Sequence, residues 1–217
     1  MSIQRVLIAE DHAILREGLR ALLSGSQNLE IIGEAEDGQE AVSQARQLEP
    51  HLILMDLSMP NINGTEAIRA IKRLYPAIKI IALTVHKTEE YVRATLDAGA
   101  VGYVLKDDSY HDLLKAIASV QKGNVYLSPG ICGKVINGYL DPSTSSTTST
   151  SWSRLTLRER EVTKLIAEGK KSREVAEYLS VSLKTVEKHR SNLMRKLDLH
   201  NVSAITKYAI ENNLIDL

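Results

Sequence analysis

The first half of the chain alternates two patterns of apolar residues. Short runs rich in β-branched side chains fall at 5–9 (RVLIA), 30–35 (EIIGEA), 52–55 (LILM), 78–84 (IKIIALT) and 101–105 (VGYVL). Around them, apolar residues recur with a helical period at 13–24, 38–48, 64–75, 89–98 and 109–121. Strands that alternate with helices in this way predict a parallel sheet, because a parallel crossover needs a helix's length of chain. Helices then cover both faces. Leu52 to Met55, apolar without interruption, suits a central strand buried on both sides.

The second half carries no such strands. It predicts helices at about 157–169, 173–179, 183–196 and 202–211. Nine consecutive Ser or Thr residues at 143–151 separate the halves. They offer nothing apolar to bury against the entropy of ordering, so 141–153 reads as a linker. Ser128-Pro129 has the form of a helix start and predicts a connecting helix over 129–140. The expected organisation is an α/β domain over 1–123, a doubly wound, five-stranded parallel sheet in the flavodoxin-like order. A connecting helix and linker over 124–153 then lead to a small all-α domain over 154–217.

Composition narrows this picture. The chain is 43% hydrophobic with no Phe and one Trp, so its cores are aliphatic. The single Cys132 excludes an internal disulfide and a cysteine-based metal cluster. No stretch approaches the ~18 consecutive apolar residues of a membrane span, and Met1 to Arg5 shows no secretory pattern. No membrane association and a cytoplasmic location are the expectations. Zero net charge hides an asymmetry, with 13 Lys/Arg against 17 Asp/Glu in 1–122, and 14 against 10 in 123–217. A basic second half suits a polyanionic partner.

Ligands of open parallel sheets bind outside the carboxyl ends of the strands. The first strand ends in Glu10-Asp11, the third in Asp56, the fourth in Thr84 and the fifth in Lys106. Singly, such residues cap helices or carry solvated charge; together, on one rim, they point to chemistry. Adjacent carboxylates repel, so they need a cation or some of them must take up protons. Oxygen ligands with room for water suit Mg²⁺. An Asp beside such an ion can attack phosphorus, with a Lys and a hydroxyl stabilising the transferred oxygens.

The runs VLIAEDHAILREGL (6–19), ILMDLSMPNINGTEAI (53–68), LTV (83–85) and GYVLKD (102–107) resemble a response-regulator receiver domain. The resemblance implies that Asp56 accepts phosphate from a sensor histidine kinase. It implies that Glu10, Asp11, Asp56 and the backbone carbonyl of Ser58 surround Mg²⁺. It implies that Thr84 and Lys106 contact the phosphoryl group and that Tyr103 changes rotamer with Thr84. Where many receivers place Pro after the Lys, this chain has Asp107.

In the second half, Thr156-Leu157-Arg158-Glu159 predicts a capping box ahead of Val162, Leu165 and Ile166. Gly169 ends that helix, Ser172 caps a short second one, and Val181-Ser182 turns into a third. A short and a long helix joined by a tight turn form a helix-turn-helix outline. On the third helix Val186, Leu193 and Leu197 make the apolar stripe, while Thr185, Lys188, Asn192 and Arg195 share another face. Lys184, Arg190 and Lys196 add positive charge, and His189 borders the stripe. Tyr178, Trp152 and Tyr208 read as packing residues. An amphipathic helix with a solvated basic face carries the same pattern as one built for DNA.

Residues 155–197 resemble the LuxR-type DNA-binding domain through TLRE, VAEYLSVSLKTVEKH and RKL. The whole architecture resembles the NarL/FixJ class of response regulators. That implies a reading helix with Lys184, Thr185, Glu187, Lys188, His189, Ser191, Asn192 and Arg195 toward double-stranded DNA, and a homodimer paired through the last helix. It implies a DNA-binding transcription regulator rather than an enzyme. Two alternatives stay open on the residues alone. One is a receiver-like module that takes no phosphate. The other is an aspartate-dependent phosphohydrolase, although Ser58 stands where such enzymes of the haloacid-dehalogenase type carry a second Asp.

Overall fold

The computed structural model describes residues 3–26, 28–133, 155–179 and 181–211. It divides into two compact units, Met1–Pro142 and Ser143–Leu217.

In the first unit the elements are β1 (Gln4–Ala9), α1 (Ala13–Ser24), β2 (Leu29–Ala35), α2 (Gly38–Leu48), β3 (Leu52–Asp56), α3 (Gly64–Leu74), β4 (Lys79–Thr84), α4 (Glu89–Asp97), β5 (Gly102–Leu105), α5 (Tyr110–Gln121) and β6 (Tyr126–Leu127). The sheet runs β2-β1-β3-β4-β5-β6 and every pair is parallel. The first five strands follow the expected doubly wound order, with the fully buried β3 at the centre. A two-residue sixth strand is added to that five-stranded core. Tyr126 and Leu127 pair with Gly102 and Tyr103, inside a stretch read as connector. Two residues are too short to leave a periodic signal.

Local chemistry sets the element ends. Asp37, Asn63 and Ser109 cap α2, α3 and α5 by accepting from backbone N–H groups three residues on. Gly64 is demanded by close approach: a Cβ there would stand 2.0 Å from the Asp56 carbonyl oxygen. The α3 start is thereby pressed against the end of β3. Val6, Ile8, Leu52, Leu54, Ile81, Leu83, Val104, Leu113 and Ile117 fill one buried layer. Residues 129–133 are helical, as Ser128-Pro129 predicts; the rest of the expected connecting helix and the Ser/Thr linker lie outside the described residues.

The second unit contains α6 (Leu157–Ala167), α7 (Ser172–Tyr178), α8 (Leu183–Leu197) and α9 (Val202–Glu211). Thr156 and Glu159 form the expected capping box, and Ser182 caps α8. Gly169 adopts φ +88°, the left-handed turn after α6. Ser172 is the first helical residue of α7 rather than its cap, which is Lys171. The core comprises Leu155, Val162, Leu165, Ile166, Val175, Ala176, Leu179, Val186, Leu193, Leu197 and Ile205. Tyr208 packs beside it, but Tyr178 does not: it is 66% exposed, with Lys170 Nζ 5.6 Å from its ring. Trp152 lies outside the described residues. No helix among the described residues is long and apolar enough to cross a membrane.

Candidate phosphoryl site and nucleic-acid interface

Strand register brings the rim together. Ala9 pairs with Met55, so Glu10 and Asp56 leave their strands side by side. Asp56 pairs with Leu83, which puts Thr84 one step beyond it. Thr84 pairs with Leu105, and Lys106 follows at once. Residues 96 positions apart thereby meet: Lys106 Nζ donates to Glu10 Oε1 at 3.0 Å. It also lies 2.8 Å from Glu10 Oε2 and 3.0 Å from Asp56 Oδ2.

Glu10, Asp56 and Thr84 are fully buried, while Asp11 and Lys106 are partly so. Burial first, and then the Asp56 charge, push the pKa of Glu10 and of Asp11 above the usual carboxylate range. Burial disfavours the Lys106 ammonium, but the Asp56 and Glu10 charges outweigh it and raise its pKa. Lys106 is therefore a firm cation at neutral pH.

One cation does not satisfy the cluster. Among the described residues, the buried side-chain oxygens without a hydrogen bond are Glu10 Oε2, Asp11 Oδ1, Asp56 Oδ2 and Thr95 Oγ1, and three of the four meet here. Lys106 Nζ is near two of them without hydrogen-bond alignment. Ligand atoms of Glu10, Asp11, His12 and Asp56 all lie within 4.8 Å of one another. Oxygen atoms left open at this spacing fit a hard divalent cation such as Mg²⁺. Acidic pockets of this kind hold Mg²⁺ in receiver domains generally.

Two residues near the rim, His12 and His86, carry no role in the sequence reading, and a third, Ser58, makes contacts beyond its expected one. His12 Nδ1 stands 3.0 Å from Asp11 Oδ1 and 3.2 Å from Glu10 Oε1. His86 Nε2 lies 3.1 Å from Ser58 Oγ, and its ring stacks on Tyr91 at 4.0 Å. Ser58 was assigned through its carbonyl alone; its N–H also donates to Asp56 Oδ1 at 3.0 Å. The signal was present, since His86 follows Thr84 by two positions and Ser58 follows Asp56 by two. Their side chains meet only because β3 and β4 are neighbours. His86 N–H donates to Thr84 Oγ1 at 3.1 Å, and the buried Tyr103 hydroxyl donates to the His86 carbonyl at 3.0 Å. Thr84 and Tyr103 are thus joined through one residue. Asp107 pairs with Lys87 across the two loops that leave β4 and β5.

On α8 the face separation is as predicted. Val186, Leu193 and Leu197 are buried, whereas Lys184, Glu187, Lys188, Ser191 and Arg195 are exposed. Thr185 and Asn192 are half-buried. Thr185 N–H donates to Ser182 Oγ at 3.1 Å, and the two hydroxyls are 2.7 Å apart. Arg195 donates to Asn192 Oδ1 at 3.3 Å. Two cations of this helix have partners within the unit. Lys196 carries its charge against a carboxylate: its Nζ lies 2.6 Å from the buried Glu159 carboxylate, which also accepts from the Thr156 N–H at 2.8 Å. Arg190 reaches Ser172 Oγ at 3.4 Å and is half-buried. His189 is half-buried, and burial together with the Arg158 charge lowers its pKa to about 4. Its ring is neutral at physiological pH.

Residues 6–118 match the response regulator receiver domain and residues 153–209 match the bacterial regulatory proteins of the luxR family. The chain is 35% identical to the oxygen regulatory protein NreC of Staphylococcus carnosus, covering 98% of this chain and 99% of that one. Among solved structures, it resembles RcsB of Salmonella enterica serovar Typhimurium bound to promoter P1flhDC in the presence of phosphomimetic BeF3-. That likeness has a TM-score of 0.59 and 32% identity over 94% of this chain and 97% of the other. A two-component response regulator of the LuxR family from Aurantimonas sp. SI85-9A1 matches 64% of this chain and 99% of its own, with TM-score 0.62 and 32% identity. The pairing of receiver and luxR-type helix-turn-helix over the full length sets aside the phosphohydrolase alternative. This chain belongs to the NarL/FixJ class of two-component response regulators, DNA-binding regulators of transcription.

Proposed function

We propose that Asp56 is the phosphoacceptor, that a sensor histidine kinase supplies the phosphoryl group, and that its arrival controls DNA binding by α8. The observation that carries this reading is the cluster of buried carboxylate oxygens on Glu10, Asp11 and Asp56 beside Lys106, three of them without an aligned hydrogen bond. Glu10, Asp11, Asp56 and the Ser58 carbonyl would hold Mg²⁺. The ion supplies charge neutralisation between the carboxylates and the incoming phosphoryl oxygens.

The chain's own groups do the rest. An Asp56 carboxylate oxygen attacks phosphorus, the phosphorus–nitrogen bond to the kinase histidine breaks, and the imidazole leaves with the bonding pair. Lys106 already touches Asp56 and follows the new charge onto the phosphoryl oxygens. Thr84 Oγ1 accepts from His86 and keeps its own hydrogen to donate. Turning that hydroxyl changes the contact to which Tyr103 is joined, which gives phosphate a route to the surrounding loops. In the second unit Lys184, Lys188 and Arg195 meet phosphates, while Thr185, Glu187, Ser191 and Asn192 face base edges. His189, being neutral, packs or donates rather than pairing with phosphate as a cation. The active species is a homodimer, as RcsB dimers on DNA support by likeness. The protein acts in the cytoplasm.

The test is labelling with a small phosphodonor and Mg²⁺, followed by intact mass. The parent should gain one phosphate and Asp56→Asn none. Undiminished labelling of Asp56→Asn refutes the assignment.

A further inference from the structure

We propose that Ser128 and Asp108 form a clasp tying the Lys106 loop to the root of the interdomain connector. Through it the state of the phosphoryl site reaches the chain that leads to the DNA-binding unit. The inference rests on the reading that phosphate on Asp56 controls DNA binding.

Ser128 is fully buried, immediately after β6. Its N–H donates to the Tyr103 carbonyl at 2.9 Å. Its Oγ accepts from Leu105 N–H at 3.0 Å and has two acceptors for its one hydrogen, the Tyr103 carbonyl at 3.2 Å and Asp108 Oδ2. Leu105 N–H is likewise shared, with Asp108 Oδ2 at 3.1 Å. The arrangement therefore has alternative pairings at nearly unchanged positions.

Two residues that adjoin this cluster, Tyr103 and Lys106, are tied to the phosphoryl site. Tyr103 is gripped at both ends, by Ser128 on its carbonyl and by the His86 carbonyl on its hydroxyl. Lys106 lies between Leu105 and Asp108, and its own N–H donates to the Thr84 carbonyl at 2.8 Å. A shift of Lys106 toward a phosphoryl group displaces Asp108 two residues away in the same loop.

On the other side, Ser128 opens the connector. Pro129 begins the helical residues 129–133, Ile131 N–H donates to the Ser128 carbonyl at 2.9 Å, and Ile131 is fully buried. Two residues of β6 are a weak edge pairing by themselves. The hydroxyl and the carboxylate supply the rest of the grip, so Ser128 is a positioning residue that acts through Tyr103 and the Lys106 loop.

The experiment uses the full chain. Asp56 labelling, thermal unfolding and DNA affinity before and after phosphorylation are measured for the parent, Ser128→Ala, Asp108→Ala, the double variant and Ser128→Thr, at one salt concentration. The quantity read is the gain in affinity per phosphorylated molecule. Labelling should match the parent, while the gain falls about fivefold in each Ala variant, the scale of one lost hydrogen bond. The double variant should lose no more than either single one, because both cut the same contact. Ser128→Thr, which keeps the hydroxyl, should retain the gain. If Ser128→Ala is unfolded at the assay temperature, Asp108→Ala decides alone. A parent-like gain in folded Ala variants overturns the clasp. A parent that shows no gain overturns the underlying reading, and the clasp with it.

Discussion

Both units contain a lysine against a buried carboxylate, and the two pairs do different things. In the second unit Lys196 lies 2.6 Å from Glu159, and the same carboxylate closes a helix cap through Thr156. Nothing in that arrangement waits for a ligand. In the first unit Lys106 touches Glu10 and Asp56, yet three carboxylate oxygens around it take no hydrogen bond. A buried ion pair with its remaining valences filled holds structure together; one with open oxygens is prepared for another charge.

The largest effect that can break this contrast lies at Asp11. Burial and the Asp56 charge raise its pKa. Between the unfolded and folded values the folded protein therefore holds more protons, so stability falls as pH rises through that window. The cost grows as pH rises above the unfolded carboxylate pKa. Asp11→Asn should consequently unfold at the parent's temperature or higher at pH 7, with the advantage vanishing below the unfolded carboxylate pKa. Phosphorylation should nonetheless fail at low Mg²⁺. Thermal scans with and without Mg²⁺ beside labelling check both halves, and normal labelling removes Asp11 from the metal site.

A smaller effect sharpens the other side. Lys188→Ala should weaken DNA binding several-fold, to a similar degree on any sequence, and reduce the salt slope by about 1. Lys196→Ala should leave the salt slope unchanged and instead lower the unfolding temperature, since it strips a partner from Glu159. Equal salt slopes for both variants would show that Lys196 also meets phosphate.

The smallest effect concerns His189. The folded ring binds its proton less well than the unfolded chain, so stability drains away as pH falls from the ordinary histidine value toward 4. The imidazole resonance in the full chain should titrate near 4. A midpoint near 6.5 would return His189 to the cations available for DNA.

How much of this was legible in the sequence depended on whether neighbours in space leave a period in the chain. The alternating strands, the rim residues Glu10, Asp56, Thr84 and Lys106, and the stripe Val186, Leu193 and Leu197 all do. β6 does not, because Tyr126 and Leu127 are strand only by pairing with Gly102 and Tyr103. His86 against Ser58 leaves only the shared offset of two positions after Thr84 and Asp56, since the contact itself crosses from β4 to β3. The Lys196 partner is not legible because helical spacing assigns a face and not a partner. Tyr178 reads as a packing residue from its aromatic identity, but at the end of a short helix it is exposed.

The central claim is that phosphate on Asp56 governs what α8 does, and one gel-shift titration meets it directly. Full-length protein is titrated onto one operator fragment at fixed salt, unphosphorylated, phosphorylated, and as Asp56→Asn treated with the same phosphodonor. The account predicts tighter binding for the phosphorylated parent alone, with inverted half-sites about 10 base pairs apart preferred by the dimer. Equal affinity in all three samples would contradict it and leave a DNA-binding protein whose receiver answers to something other than phosphate.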